Sequence, residues 1–174
     1  MSFTAAPPIR PWLSRWPVTP DSFSADRPAG HATGRHLART LAVQALYAAD
    51  IKGEGSDPIS ELEHLLTLES AADRPVEKAV GSYTRDLLSA VASCESAVGS
   101  IREVLSTWSY ERLTPVERCI LRVGLAELDG DLGVPPIVAI DEAILLAKEY
   151  GTKNSEKFIN GVLDAIYKKK KSST

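Results

Sequence analysis

Cysteine is nearly missing from this chain: Cys94 and Cys119 are the two in 174 residues. They lie far apart in apolar periodic segments, with neither a CxxC pair nor the Cys/His spacing of a zinc site. Both are expected as buried packing thiols in a reducing, cytoplasmic setting. Aromatic residues make up 6% of the chain. No alternating runs of Val, Ile, Thr or Tyr bounded by turn signals appear, which argues against a sheet and for an all-α fold.

No segment approaches the roughly 20 apolar residues of a membrane span, and no charged n-region precedes an apolar stretch, so a soluble, unexported protein is expected. Chemistry-bearing motifs are missing as well. His31, His36 and His64 have no His partner four residues on and no H-E-x-x-H context. G-x-S-x-G and the nucleotide-binding glycine patterns are absent, and "GEGSD" reads as a turn before an N-cap. The acidic pairs Asp141 with Glu142 and Glu61 with Glu63 read as solvated helix faces. The expectation is no metal, no cofactor and no enzyme.

What the chain does have is helical pattern. Residues 1–34 are dense in Pro, Gly and Ser and are expected to be a disordered extension, in which Trp12 and Trp16 are either a small docking motif or incidental. A helix-forming stretch over about 35–52 stops at "KGEGSDP", where Asp57 is an N-cap and Pro58 the first helical residue of a second helix reaching about 71. An apolar stripe of Val80, Tyr83, Leu87, Val91, Cys94, Val98, Ile101, Leu105 and Trp108 keeps helical spacing, and Gly99 is expected to break it into two helices. "TPVE" at 114–117 is a capping box, with Thr114 as N-cap and Glu117 at N3. "GVPP" opens a helix from Pro136 to Gly151, with Ile140, Ala143, Ile144, Ala147 and Tyr150 on one side and Asp141, Glu142, Lys148 and Glu149 on the other. A last helix begins near Asn154 and runs into "KKKKSST". Seven helices with short loops make a helical bundle.

Net charge is −3, unevenly spread. Residues 1–40 hold five basic against two acidic side chains, residues 148–174 seven against three, and residues 41–147 eight against eighteen. On a wheel of about 100° per residue, Leu37, Leu41, Ala45 and Ala48 fall together. Arg35, His36, Arg39 and Tyr47 fall within about 120° on the other side. Cations with an interleaved aromatic suit single-stranded RNA, because the cations neutralise phosphates and the ring offers a stacking surface. They equally suit an ordinary solvated face. The last helix adds Lys157 and Phe158 near an N-terminus whose amides favour an anion.

The segments "ARTLAVQALY", "YTRDLLSAV", "VERCILRVGLAEL", "VPPIVAIDEAILLAKEYG" and "SEKFINGVLDAI", in that order and spacing from about Arg35 to Tyr167, resemble the bacterial transcription antitermination factor family NusB. The resemblance implies an all-α, seven-helix fold of two small packed bundles, here about 35–99 and 100–171 with a tail at 172–174, and no catalysis. It implies pairing with the small-subunit ribosomal protein NusE, binding to boxA RNA, and entry into an RNA polymerase antitermination complex on ribosomal RNA operons. Carried over by position, the RNA surface is Arg35, His36, Arg39, Tyr47, Lys157 and Phe158, and the NusE face includes Glu111, Glu117 and Arg118. An acidic middle suits a basic ribosomal partner.

This sequence departs from the family in three ways: a thinner basic cluster at the first helix, an extension of 34 residues, and Asn154 where an acid is common. One alternative is a homodimer or purely protein-binding module joined through an apolar patch near Trp108 and Tyr110. Another is the RNA-binding part of a ribosomal RNA methyltransferase, but the chain ends at its lysines, so no catalytic domain is expected to follow.

Overall fold

Two of the helices start where a side chain supplies partners for their first amides. The computed structural model of the protein describes residues 33–71, 76–94, 96–105, 109–129 and 132–172. The expected disordered extension, with Trp12 and Trp16, lies outside them up to residue 32, as does Trp108. Among the described residues the helices are α1 (Thr33–Lys52), α2 (Pro58–Ala71), α3 (Lys78–Ser93), α4 (Ser96–Leu105), α5 (Pro115–Leu128), α6 (Pro136–Tyr150) and α7 (Ser155–Ser172), with a 3-10 turn at Tyr110–Arg112. At α2 the Asp57 carboxylate accepts from the amides of Ile59 and Ser60, at 3.2 and 3.0 Å. The Ser60 hydroxyl and these amides hold its pKa below the usual carboxylate value. At α5 the capping box is complete, with Thr114 accepting from the Glu117 amide and Glu117 from the Thr114 amide.

α5 is the central element. Cys119, Ile120, Leu121, Val123, Leu125, Ala126 and Leu128 are all buried, so apolar residues face inward nearly all round it. It packs against α6, α1, α3, α7 and α4. Gly124 lets this happen: a Cβ there would stand 3.0 Å from Leu163 Cδ1 and 3.4 Å from the Ala143 Cβ. α1 packs on α2, α3 and α5, while α6 packs on α5 and α7. Residues 32–174 therefore cluster as one compact unit. Among the described residues no helix is long and apolar enough to cross a membrane.

Several expectations need correcting. Glu61, expected on a solvated face, is buried with Lys52 and Ser56 as partners. α1 begins at Thr33, so the last two residues assigned to the extension are helical. The α3–α4 break falls after Ser93, not at Gly99, which lies inside α4. There Cys94 takes ψ 58°, its amide is shared between the Ala90 and Val91 carbonyls, and its thiol donates to the Asp129 carboxylate at 2.6 Å. Cys94 is partly exposed rather than buried as expected, whereas Cys119 is buried; burial pushes the Cys119 thiol up to about 12. On α6 the inward face carries Ala139, Glu142, Ala143, Leu146 and Ala147, so Glu142 is turned into the protein rather than toward solvent.

Candidate nucleic-acid interface

The first turns of α1 carry the cations expected to face RNA, and the structure sends them in two directions. Arg35 is exposed, with its guanidinium carbon 4.1 Å from the centre of the Tyr83 ring, a cation–π arrangement. Arg39 is 3% exposed. Its Nε donates to both Glu127 oxygens at 2.9 Å, Nη2 lies 2.9 Å from Glu127 Oε1, and Nη1 lies 3.3 Å from Glu142 Oε2. The Tyr83 hydroxyl donates to Glu127 Oε1 at 2.6 Å, so Glu127, itself 1% exposed, is held on several sides. Burial opposes the Arg39 charge, but the bonds and fields of Glu127 and Glu142 outweigh it and its pKa is raised. Burial, with the bond to Glu127, pushes the Tyr83 hydroxyl up to about 12.

His36 is 8% exposed. Its Nδ1 lies 2.8 Å from Glu142 Oε2 and its Nε2 3.4 Å from Glu149 Oε2, so as an imidazolium it donates to both. The hydrogen bond to Glu142 is the main cause of a pKa raised above 6.5; burial works against it and the Glu149 charge assists. The protonated form is the one the fold favours, so this stabilisation is complete below the unfolded pKa near 6.5 and is lost as pH rises through the higher folded pKa. A proton NMR titration should place the His36 midpoint above 6.5. Thermal melts should show a loss of stability toward pH 8 that His36→Gln removes; parallel pH profiles for the two proteins would count against this reading.

The solvent-facing arc of Arg35, His36 and Arg39 is thus corrected to a single exposed cation, Arg35, with His36 and Arg39 turned inward. The reason is that α1 is itself interior: Ala38, Leu41, Ala42, Val43, Ala45, Leu46, Ala48 and Ala49 are all buried, leaving a narrow outer strip. Tyr47 stands apart as well. It is half-buried, and 12 residues of helix separate it from Arg35 by about 18 Å. Asp50, one turn on from Tyr47, lies 3.9 Å from Arg118 Nη2 and 3.3 Å from Arg122 Nη1. Asp50, not Tyr47 itself, makes these contacts with α5.

The contact of His36 with Glu149 brings the end of α6 beside the start of α1. The chain then turns through Gly151, Thr152, Lys153 and Asn154 into α7. Asn154 takes φ 76°, a left-handed conformation asparagine tolerates better than most residues. Its carbonyl accepts from the amides of Lys157 and Phe158 at 3.1 and 3.2 Å. Lys157 is exposed and Phe158 half-buried. Lys148, near the end of α6, and Lys153, in the turn into α7, are exposed too. The sequence places Lys148 on the polar side of its helix but assigns neither lysine to the RNA surface. Tyr83, Glu127, Glu142 and Glu149 were missed as partners of α1 because nothing local marks them.

The second group of expected residues lies at the start of α5. Glu111 is exposed. It accepts from the Ser109 hydroxyl and from Arg102 Nη2 at 2.7 Å; the Ser109 bond, its own amide and Arg102 hold its pKa down at about 2. Glu117 is half-buried in the capping box and also accepts from the Ser155 hydroxyl at 2.8 Å. Arg118 donates from Nη1 to the Leu113 carbonyl at 3.3 Å. Among the described residues no three His, Cys, Asp or Glu side chains converge as a metal site.

Comparisons with known proteins place this arrangement. The profile of the NusB family matches residues 36–168. The transcription antitermination protein NusB of Shewanella woodyi is 35% identical over 78% of this chain and 96% of its own length; that of Serratia proteamaculans is 39% identical over 76% and 91%. Among solved structures, NusB of T. maritima superposes with TM-score 0.68 at 33% identity, covering 77% of this chain and 90% of that one. A crystal structure of the antitermination factors NusB and NusE in complex with dsRNA superposes with TM-score 0.65 at 28% identity, covering 80% and 99%. With the profile spanning most of the described helices and relatives matched along nearly their whole length, the chain belongs to the NusB family.

Proposed function

We infer that the protein is a transcription antitermination factor that pairs with ribosomal protein NusE, binds boxA RNA, and acts in the cytoplasm within an RNA polymerase complex on ribosomal RNA operons. Relatives more than a third identical to it over the aligned stretch carry the antitermination name, and the NusB of the solved NusB–NusE–dsRNA complex is similar over nearly its whole length. The carrying observation within the molecule is that the start of α1, with exposed Arg35, meets the end of α6 through the His36–Glu149 contact. Exposed Lys148, Lys153 and Lys157 and the half-buried ring of Phe158 lie along the chain from there into the first turn of α7, in a chain of net charge −3. Phosphates are attracted to such cations, and an aromatic edge among them offers a base a stacking surface. The RNA surface is read as these residues, with His36 and Arg39 supporting it from beneath.

The NusE face is read as the start of α5 and the turn before it, with Glu111, Glu117 and Arg118. The role assigned to the protein is binding rather than catalysis.

Fluorescence anisotropy of a boxA-type RNA against a scrambled RNA, across a salt series and with or without NusE, tests this. The expected result is preference for boxA, strengthened by NusE, with affinity that falls with salt as several phosphate contacts require. Lys157→Ala should flatten the salt dependence by roughly one phosphate contact, and Phe158→Ala should cost about 1–3 kcal/mol of binding if a base stacks there. Equal weak binding to both RNAs, unaffected by NusE, would instead leave a protein-binding module.

A further inference from the structure

The first fully buried apolar side chain of α7 is Ile159, so the turn ahead of it, which carries Lys157 and Phe158, needs another anchor. Ser155, at 2% exposure, is placed to be that anchor. Its hydroxyl donates to Glu117 Oε1 at 2.8 Å and accepts from the Thr152 amide at 2.8 Å, with the Thr152 hydroxyl 3.1 Å away. The other oxygen of Glu117 accepts from the amide and hydroxyl of Thr114, each at 2.9 Å. One carboxylate thus closes the N-terminus of α5 and holds the N-terminus of α7.

We propose that Ser155 is a positioning residue: through its bond to Glu117 it fixes the first turn of α7, and with it Lys157 and Phe158, against the start of α5. The functional consequence rests on the RNA and NusE reading above. Glu117 belongs to the face assigned to NusE, and Lys157 with Phe158 to the face assigned to RNA. The bond is a two-residue link between those faces, so strain or relief applied to Glu117 by a partner is felt at Lys157, and the coupling runs equally in reverse.

The test uses the full-length protein, with NusE and a boxA-type RNA. Ser155→Ala removes the hydroxyl alone. Amide exchange at Lys157 and Phe158 should speed up by about tenfold while that at Val162 and Leu163 stays unchanged, as expected for a local opening. RNA affinity should fall by roughly three- to tenfold, the range for one lost hydrogen bond. The loss caused by Lys157→Ala should be smaller in the Ser155→Ala background than in the parent, because the lysine is already displaced. Glu117→Gln keeps a capping-box residue at N3 and an amide able to donate to Ser155, so exchange at Lys157 and Phe158 should match the parent. Should Ser155→Ala fold poorly, Ser155→Cys, similar in shape but a weak donor, reads the same bond.

Unchanged exchange at Lys157 and Phe158 in the Ser155 variants would overturn the positioning role whatever RNA does, and so would fully additive losses in the double variant. A parent protein that binds neither boxA RNA nor NusE would overturn the functional reading instead, and the exchange measurement would still judge the link.

Discussion

Replacing Arg39 with alanine should destabilise the fold by about 3–5 kcal/mol, the usual result of removing one member of a buried ion pair. For a domain of this size that is a fall of roughly 10–20 °C in the thermal midpoint, read by circular dichroism. Glu127, 1% exposed in the parent and bonded by the Tyr83 hydroxyl, would be left with no guanidinium to balance its charge. Tyr83→Phe removes one neutral donor to that carboxylate and should cost closer to 1 kcal/mol.

The pairwise control separates a structural role from an RNA contact. Arg39→Met combined with Glu127→Leu removes both charges and fills the space with apolar atoms, so much of the lost stability should return. If Arg39→Ala melted like the parent but failed to bind RNA, the guanidinium would belong to the RNA surface and the buried pair would carry little energy. If both single variants melt early and the double one recovers, the arginine at the head of α1 acts by holding α1 against α5 and α6, and Arg35 is left as the cation that faces outward.

The buried pair also marks where the sequence stops being legible. Helix starts are local: Asp57 and Thr114 sit within three residues of the amides they cap, so both could be read directly. The stripe from Val80 to Leu105 survives because Leu87, Val91, Ile101 and Leu105 are all buried whatever the chain does between them. The break after Ser93 was not legible, because the partner of Cys94 is Asp129, 35 residues away. Arg39 and Glu127 are 88 residues apart. On a wheel, an arginine opposite leucines and a glutamate on an amphipathic helix both look solvated, and only the packing of α1 against α5 and α6 reveals otherwise.

For the candidate site, this divides the expected residues. Lys157 and Phe158 follow from a cap and a spacing, both near in sequence, and they lie exposed and half-buried on the first turn of α7. His36 and Arg39 do not behave as the wheel suggests, because α1 has helices on several sides and its outer strip is narrower than a surface helix would have. Family likeness carried those positions into the site without the tertiary contacts that decide which way each side chain points.

Gly151→Ala should have the second large effect, and its cause is contact rather than backbone strain. The φ of Gly151 is −82°, open to any residue. A Cβ there would lie 2.5 Å from the Ala147 carbonyl oxygen and from the Ser155 Cβ, and 2.7 Å from the Ser155 hydroxyl. The carbonyl cannot retreat cheaply, because it accepts the Gly151 amide at 2.9 Å to close α6. Either the last turn of α6 opens or Ser155 is pushed off Glu117, and overpacking of this kind costs about 1–3 kcal/mol. Gly161→Ala provides the contrast: nothing lies within 4 Å of its added Cβ, it sits inside α7, and alanine there should stabilise by about 1 kcal/mol. Thermal melts and RNA affinity should therefore move together for Gly151→Ala and move apart for Gly161→Ala, which raises the midpoint and leaves Lys157 where it was. A Gly151→Ala protein that melts and binds like the parent would mean that Ser155 can leave Glu117 at no cost, and the corner joining α6 to α7 would then be set by the apolar packing from Ile159 onward alone.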